Sequence, residues 1–318
     1  MPATTSGIET RGHLSPHAIP STGTSSNFIW WQQRVGAHGN AACMILPIIG
    51  SEAIAAGLVT RGALRWNFRR LFPDVYFPAD ARLDIGRRAY AAWLWTGRAG
   101  VITGQAAAAL YGVRCVDDSV PIEMIAKSRR PRPGVVIRNE SLAADEVQVY
   151  GEHLPVTTPP RTALELARHL SRDQAVKQLD MLAAATDMTR ADVAPLEARY
   201  PSARWSRKAF DALTLMDGGS RSPEETMVRL WLIDAGLPRP ETRISVGDHI
   251  WESAVGIGWP EFRIGVQWAE HRYNLVSDIH FRDLLRRLHW QLIEVGPHHS
   301  RANVVGRCRD ALLRRPLR

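Results

Sequence analysis

Four arginines, Arg61, Arg65, Arg69 and Arg70, crowd one short stretch, with Trp66 and Phe68 set between them. Guanidinium groups at this density suit one chemistry above others. They neutralise successive phosphates along a nucleic-acid backbone and fix the register of whatever element carries them. A second basic run, KSRRPRPG, contributes Arg129 and Arg130 at what reads as a hairpin tip between two strand-like segments, Val120–Ala126 and Val135–Asn139. A third lies toward the C-terminus, where Arg282, Arg286 and Arg287 recur at helical spacing and Arg307, Arg309, Arg314 and Arg315 follow. Each has a bland alternative: a solvated helix face, a polar turn, or helix-end charges.

The whole chain leans the same way. Forty Lys and Arg against 32 Asp and Glu leave a net charge of +8 over 318 residues, which favours polyanion partners such as nucleic acid or an anionic membrane surface. With 45% apolar residues the chain can bury two ordinary cores. Cys43, Cys115 and Cys308 are odd in number and far apart, so neither a disulfide framework nor a C-x-x-C zinc site is available, and a reducing cytoplasm fits. No apolar run approaches the roughly 20 residues that span a bilayer, so no membrane partner is expected. Residues 1–43 are rich in Ser, Thr, Gly and Pro, lack the pattern of a secretory signal, and read as a disordered lead. Met44 opens the first patterned segment and is a candidate translation start.

The elements that must position these cations follow from periodicity. From Ser51, SEAIAAGLVTRGALRW reads as two short helices joined by a turn at Gly57, and LFPDVYFP as a short strand or wing. Helix, turn, helix and basic wing is the order of a winged-helix domain, expected over residues 44–80. Residues 81–217 read as a mixed middle domain. It has helices over Ile85–Thr96 and Thr103–Tyr111, two strands, and a helix entered through Thr158, Pro159 and Pro160. Gly218, Gly219 and Ser220 read as a flexible joint. Beyond it, residues 218–318 read as helix, strand, strand, helix, strand and a final helix, a mixed sheet flanked by helices, so the class is α/β.

Within that last segment SRSPEE with its following Arg229, AGLPRP, GWPEFRIGV, DIHFRDLLRRL and HWQLIEV stand in an order that resembles the very-short-patch-repair-like endonuclease domains of the PD-(D/E)XK superfamily, in an actinobacterial group. ITGQAAAALYGV and LPVTTPPRTALELA also resemble that group, and the front looks like the winged-helix segment of AbiEi-like antitoxins. The resemblance implies a restriction-endonuclease-like fold and a magnesium site of clustered carboxylates. Its helix acid falls on Glu225, the single candidate metal ligand kept. Gly256 stands where the family carries Asp, Gln267 where it carries Glu, and Ala269 where it carries a second Asp. Glu270 is the one nearby acid that a strand offset would bring in, and His271 matches a family His able to move protons near neutral pH. A structural or exposed role is the plainer reading of His271.

The expectation is therefore a DNA-binding protein whose endonuclease-like domain has lost catalysis, needing no cofactor. Two alternatives stand beside it. One is an active magnesium-dependent endonuclease built on Glu225, Glu270 and His271. The other is an antitoxin-like repressor with a cognate toxin as partner.

Overall fold

The computed structural model describes residues 46–127, 132–201, 206–249, 251–269 and 275–314. Residues 1–45, Arg129, Arg130, Glu270, His271 and Arg315 lie outside the described residues.

The front of the chain builds β1 (Ile48–Ile49), α1 (Gly50–Ala55), α2 (Arg61–Asn67), β2 (Phe68–Phe72) and β3 (Val75–Pro78). The three strands form an antiparallel sheet of order β1-β3-β2. Helix α2 starts where the Thr60 side chain accepts a hydrogen bond from the Ala63 amide at 3.0 Å, satisfying one of the orphan first-turn donors. It stops at Asn67 because Phe68 is already extended (φ −126°, ψ 146°). Arg69 and Arg70 consequently sit on β2 rather than on the helix with Arg61 and Arg65. Val75 is buried in a core shared with the next unit, which docks the β-sheet of the front onto the middle of the chain.

That middle comprises α3 (Ile85–Trp95), β4 (Val101–Thr103), α4 (Gly104–Leu110), β5 (Ile122–Ile125), β6 (Val135–Arg138), β7 (Val147–Tyr150) and β8 (Leu154–Thr157). Four helices follow: α5 (Pro159–His169), α6 (Arg172–Thr186), α7 (Arg190–Arg199) and α8 (Ser206–Thr214). The five strands form a mixed sheet of order β6-β5-β4-β8-β7. Strands β5 and β6 pair in parallel, Ile122 opposite Val135 and Ile125 opposite Arg138, so the chain returns along the full length of β5 before β6 begins. Parallel strands are not joined as a hairpin, so the hairpin expected here is not formed; residues 128–131 of the KSRRPRPG run lie outside the described residues. Thr158 precedes α5 as expected, but its side chain makes no capping bond; Pro in the first turn removes a donor instead. One core gathers Ile102, Met124 and Val156 of the sheet beneath α3, and another gathers Leu166, Leu179, Leu182 and Leu213 among α5, α6 and α8.

The C-terminal unit runs α9 (Pro223–Asp234), β9 (Glu241–Gly247), β10 (Glu252–Trp259), β11 (Ile264–Trp268), α10 (Leu275–Arg287), β12 (Gln291–Val295) and α11 (Arg301–Arg314). Its sheet has the order β12-β11-β10-β9, with β9, β10 and β11 antiparallel and β12 parallel to β11. The sequence reading lacked β9, although Ile244 and Val246 alternate into the core with polar neighbours facing out. Ser222 caps α9 as expected, accepting from the Glu225 amide at 3.3 Å. The expected flexible joint is closely packed: a Cβ on Gly218 would meet Ala183 of α6 at 3.1 Å, and one on Gly219 would meet the Thr242 hydroxyl at 2.0 Å. Glycine is required there because two units approach each other through its missing side chain. The class is α/β, with mixed sheets flanked by helices. No helix among the described residues is long and apolar enough to cross a membrane.

Candidate functional site

On α2 the side chains of Arg61, Arg65 and Asn67 are exposed, and Trp66 is 77% exposed, its indole standing in solvent. The Arg65 guanidinium lies 5.4 Å from the Trp66 ring centroid, a cation stacked on an aromatic in open solvent. Behind it Arg69 donates to the Ala81 carbonyl at 2.6 Å and lies over Phe77, and Arg70 reaches the Phe72 carbonyl. Among the described residues none of these four arginines pairs with a carboxylate. The C-terminal cations differ. Arg282 pairs with Glu294 at 2.6 Å, Arg286 with Asp283 at 2.6 Å, and Arg287 with Asp248 at 2.8 Å. An arginine already neutralised by a carboxylate has less field to offer a phosphate, so these three offer less than the front four, whereas Arg309 and Arg314 of α11 are exposed and pair with no carboxylate among the described residues.

The second candidate site lies where α9 packs on β10 and β11. Sequence reasoning put Glu225, Gly256 and Gln267 at related positions, and the fold brings all three together. A Cβ on Gly256 would stand 2.7 Å from the Glu225 Oε1, and the Gly256 amide donates to the Gln267 Oε1 at 3.4 Å. All sit within the buried heart of the unit, Glu225 at 3% and Gln267 at 7% exposure. Ala269, in contrast, lies exposed past the end of β11, its amide donating to the Val295 carbonyl. The Glu225 Oε2 accepts from the Arg221 amide at 2.7 Å, so this carboxylate closes the first turn of α9. One carboxylate, one neutral amide and one glycine make a poor donor set for magnesium, which requires several hard oxygen ligands, and these residues do not fit the ion. Of the other nearby acids, Asp248 is bound to the Trp251 amide and Arg287, and Glu252 to the Ser245 hydroxyl. His298 and His299 lie on an exposed loop.

A buried ionic network in the middle unit escaped the sequence reading. Arg161 of α5 is fully buried and binds Glu146 at 2.8 Å, Glu165 at 2.8 Å and Glu140 at 2.9 Å, with the Tyr200 ring 4.8 Å away. Arg168 and His169 close on Glu165 at 3.0 and 3.2 Å. Burial alone would raise the Glu165 carboxyl, but His169, Arg161 and Arg168 outweigh it and hold it below the usual range. Glu140, Glu165 and His169 are close enough together to hold a metal ion. Two guanidinium groups already occupy their oxygens, so the cluster is an ion-pair network. The signal that could have revealed it is the spacing of Arg161, Glu165 and Arg168 along one helix face.

Comparison with known proteins adds a family assignment to this geometry. A family model described as the AbiEi antitoxin C-terminal domain matches residues 98–214, the middle unit rather than the front. Two uncharacterized proteins of Mycobacterium tuberculosis, MT2308 (strain CDC 1551) and Rv2248 (strain H37Rv), are each 31% identical over 198 residues, covering 61% of this chain and 71% of theirs. Among solved structures, the RV2827C protein from Mycobacterium tuberculosis is 14% identical, with a TM-score of 0.37 over 64% of this chain and 84% of that one, too slight a likeness to bear on function.

Proposed function

We propose, from the premise that this chain belongs to the family of the mycobacterial proteins MT2308 and Rv2248, that it is a DNA-binding regulator of antitoxin type whose C-terminal unit binds without cleaving. The observation that carries this reading is the unpaired, exposed face of Arg61, Arg65 and Trp66 joined to an AbiEi-antitoxin-like region. The order β1-β3-β2 around two short helices supports a winged helix at the front, with α2 presented to a groove and Arg69 and Arg70 beside the backbone. The run of helix, three antiparallel strands, helix and parallel strand supports a restriction-endonuclease-like fold at the back. Fold alone licenses no activity, and the loss of two acids at Gly256 and Gln267 argues against one. A cognate toxin is the protein partner this reading implies, and the cytoplasm its place of action.

The test is a mobility-shift titration of duplex DNA, including the gene's own upstream region, run beside plasmid nicking with magnesium and with manganese. Binding that weakens steeply with salt, without nicking, is the expected result. Unchanged mobility at micromolar protein and low salt would overturn it. Nicking abolished by Glu225→Ala would establish the endonuclease instead.

A further inference from the structure

Helix α2 carries a feature that phosphate binding alone leaves unexplained. Trp66, its penultimate residue, is 77% exposed. An indole left in water forgoes the stabilisation that burying so large an apolar side chain gives. Its one ring contact among the described residues is the Arg65 guanidinium, 5.4 Å from the centroid, so most of the ring stays open.

Gly62 lies one turn earlier on the same side of the helix. The fold does not require glycine there. Its φ is not positive, and a Cβ would meet nothing nearer than the Thr60 hydroxyl at 3.7 Å, an ordinary contact. Glycine is also a poor helix former, so α2 would gain from almost any other residue at this position. What the missing side chain does provide is a bare shelf of backbone one turn from the indole. Arg61 and Arg65 flank it, and the exposed Arg61 makes no hydrogen bond or ion pair among the described residues.

An open ring, a bare shelf and two flanking cations fit a flat group with an anion on either side, which is a nucleobase within a strand. Proteins that hold a single strand stack successive bases on several rings. Here Phe68, Phe72 and Tyr76 are partly covered and Phe77 is buried, which leaves one largely exposed ring in the front unit. One ring takes one base. We propose that the α2 face binds duplex DNA at a single unpaired base, which stacks on Trp66 over the Gly62 shelf while Arg61 and Arg65 hold the flanking phosphates. Selectivity of this kind rests on the DNA-binding reading of the same face.

Fluorescence anisotropy of the full chain tests it with three labelled DNAs of one sequence: a fully paired duplex, that duplex with one extra unpaired base, and the single strand. The expected result is binding of the bulged duplex at least about fivefold tighter than the paired one, the worth of one base stack. Trp66→Ala and Gly62→Leu should abolish that preference, Trp66→Phe should keep part of it, and Arg65→Ala should weaken both duplexes. Because Trp66 is exposed and the space above Gly62 is open, the Tm of these variants should stay within about 2 °C of the natural chain. Equal affinity for the paired and bulged duplexes, or a preference that survives Trp66→Ala, would overturn the proposal and leave DNA binding by this face standing. Tighter binding of the single strand than of the bulged duplex would overturn it in favour of a single-strand site. No binding to any of the three would overturn both readings of the face.

Discussion

The Gly256 position illustrates how far a single missing side chain reaches. Its absent Cβ leaves room for the Glu225 carboxylate, which has turned inward to close its own helix. Putting an acid back is therefore an overpacking problem as well as a charge problem. Gly256→Asp should lower stability by about 1–3 kcal/mol in metal-free urea unfolding, and it should not yield plasmid cleavage with magnesium. An unchanged midpoint would mean that Glu225 swings aside freely. Cys308 gives a second residue-scale test. Burial on the inner face of α11 pushes its thiol up to about 12, so iodoacetamide at pH 8 should leave it unmodified in the native chain, as peptide mass spectrometry would report. Alkylation at a rate comparable to an exposed thiol would show that α11 opens readily. The place of Glu225 was legible in SPEE, because a Ser-Pro cap and an acid three residues on have a fixed helical geometry. The exposure of Trp66 was not, since a seven-residue helix is too short for periodicity to separate its faces.

Helices α5 and α2 carry charge in opposite ways. In α5 the arginines are internal and matched. Glu165 is held below the usual carboxylate range, so its contribution to stability is complete above its unfolded value of about 4.3 and is lost as pH falls through the lower, folded value. Acid unfolding should accordingly steepen below about pH 4. Glu165→Gln should flatten that limb while costing about 3–5 kcal/mol at neutral pH, because Arg161 and Arg168 would lose a buried partner. A variant as stable as the natural chain at pH 7 would show the network to be dispensable. In α2 the arginines are external and unmatched. Arg65→Ala should weaken DNA binding for all sequences alike and reduce the slope of log K against log salt by about 1, measured by fluorescence anisotropy. A slope unchanged from the natural chain would move the phosphate contact elsewhere. Element type was legible where the pattern was long, as in α3 and α5. The parallel pairing of β5 and β6 was not legible. Two short apolar runs around a proline-rich loop look the same to local periodicity whether the chain turns back or crosses over.

At the scale of the whole molecule, the middle and C-terminal units are joined through their interiors. Asp180 of α6 and Arg229 of α9 are both fully buried and paired at 2.8 Å, and Thr226 adds a hydrogen bond to the same carboxylate at 2.7 Å. Leu230, one residue on, belongs to the core of the middle unit although it comes after the Gly218 boundary. Thermal unfolding should therefore show one transition for both units. Arg229→Met should lower stability by about 3–5 kcal/mol and separate them into two, whereas Arg229→Met with Asp180→Leu should restore much of the loss. A single transition in Arg229→Met would mean that apolar contacts alone hold the units together. The shared helix also bears on how a gene of this kind can be dissected. Helix α9 is at once the first element of the back unit and a wall of the middle one. A deletion placed at the obvious glycine joint thus strips a core residue from the part that is kept. If the proposed regulatory function holds, loss of DNA binding after such a cut would report collapse of the antitoxin-like region, and would be mistaken for a role of the C-terminal unit in reading DNA.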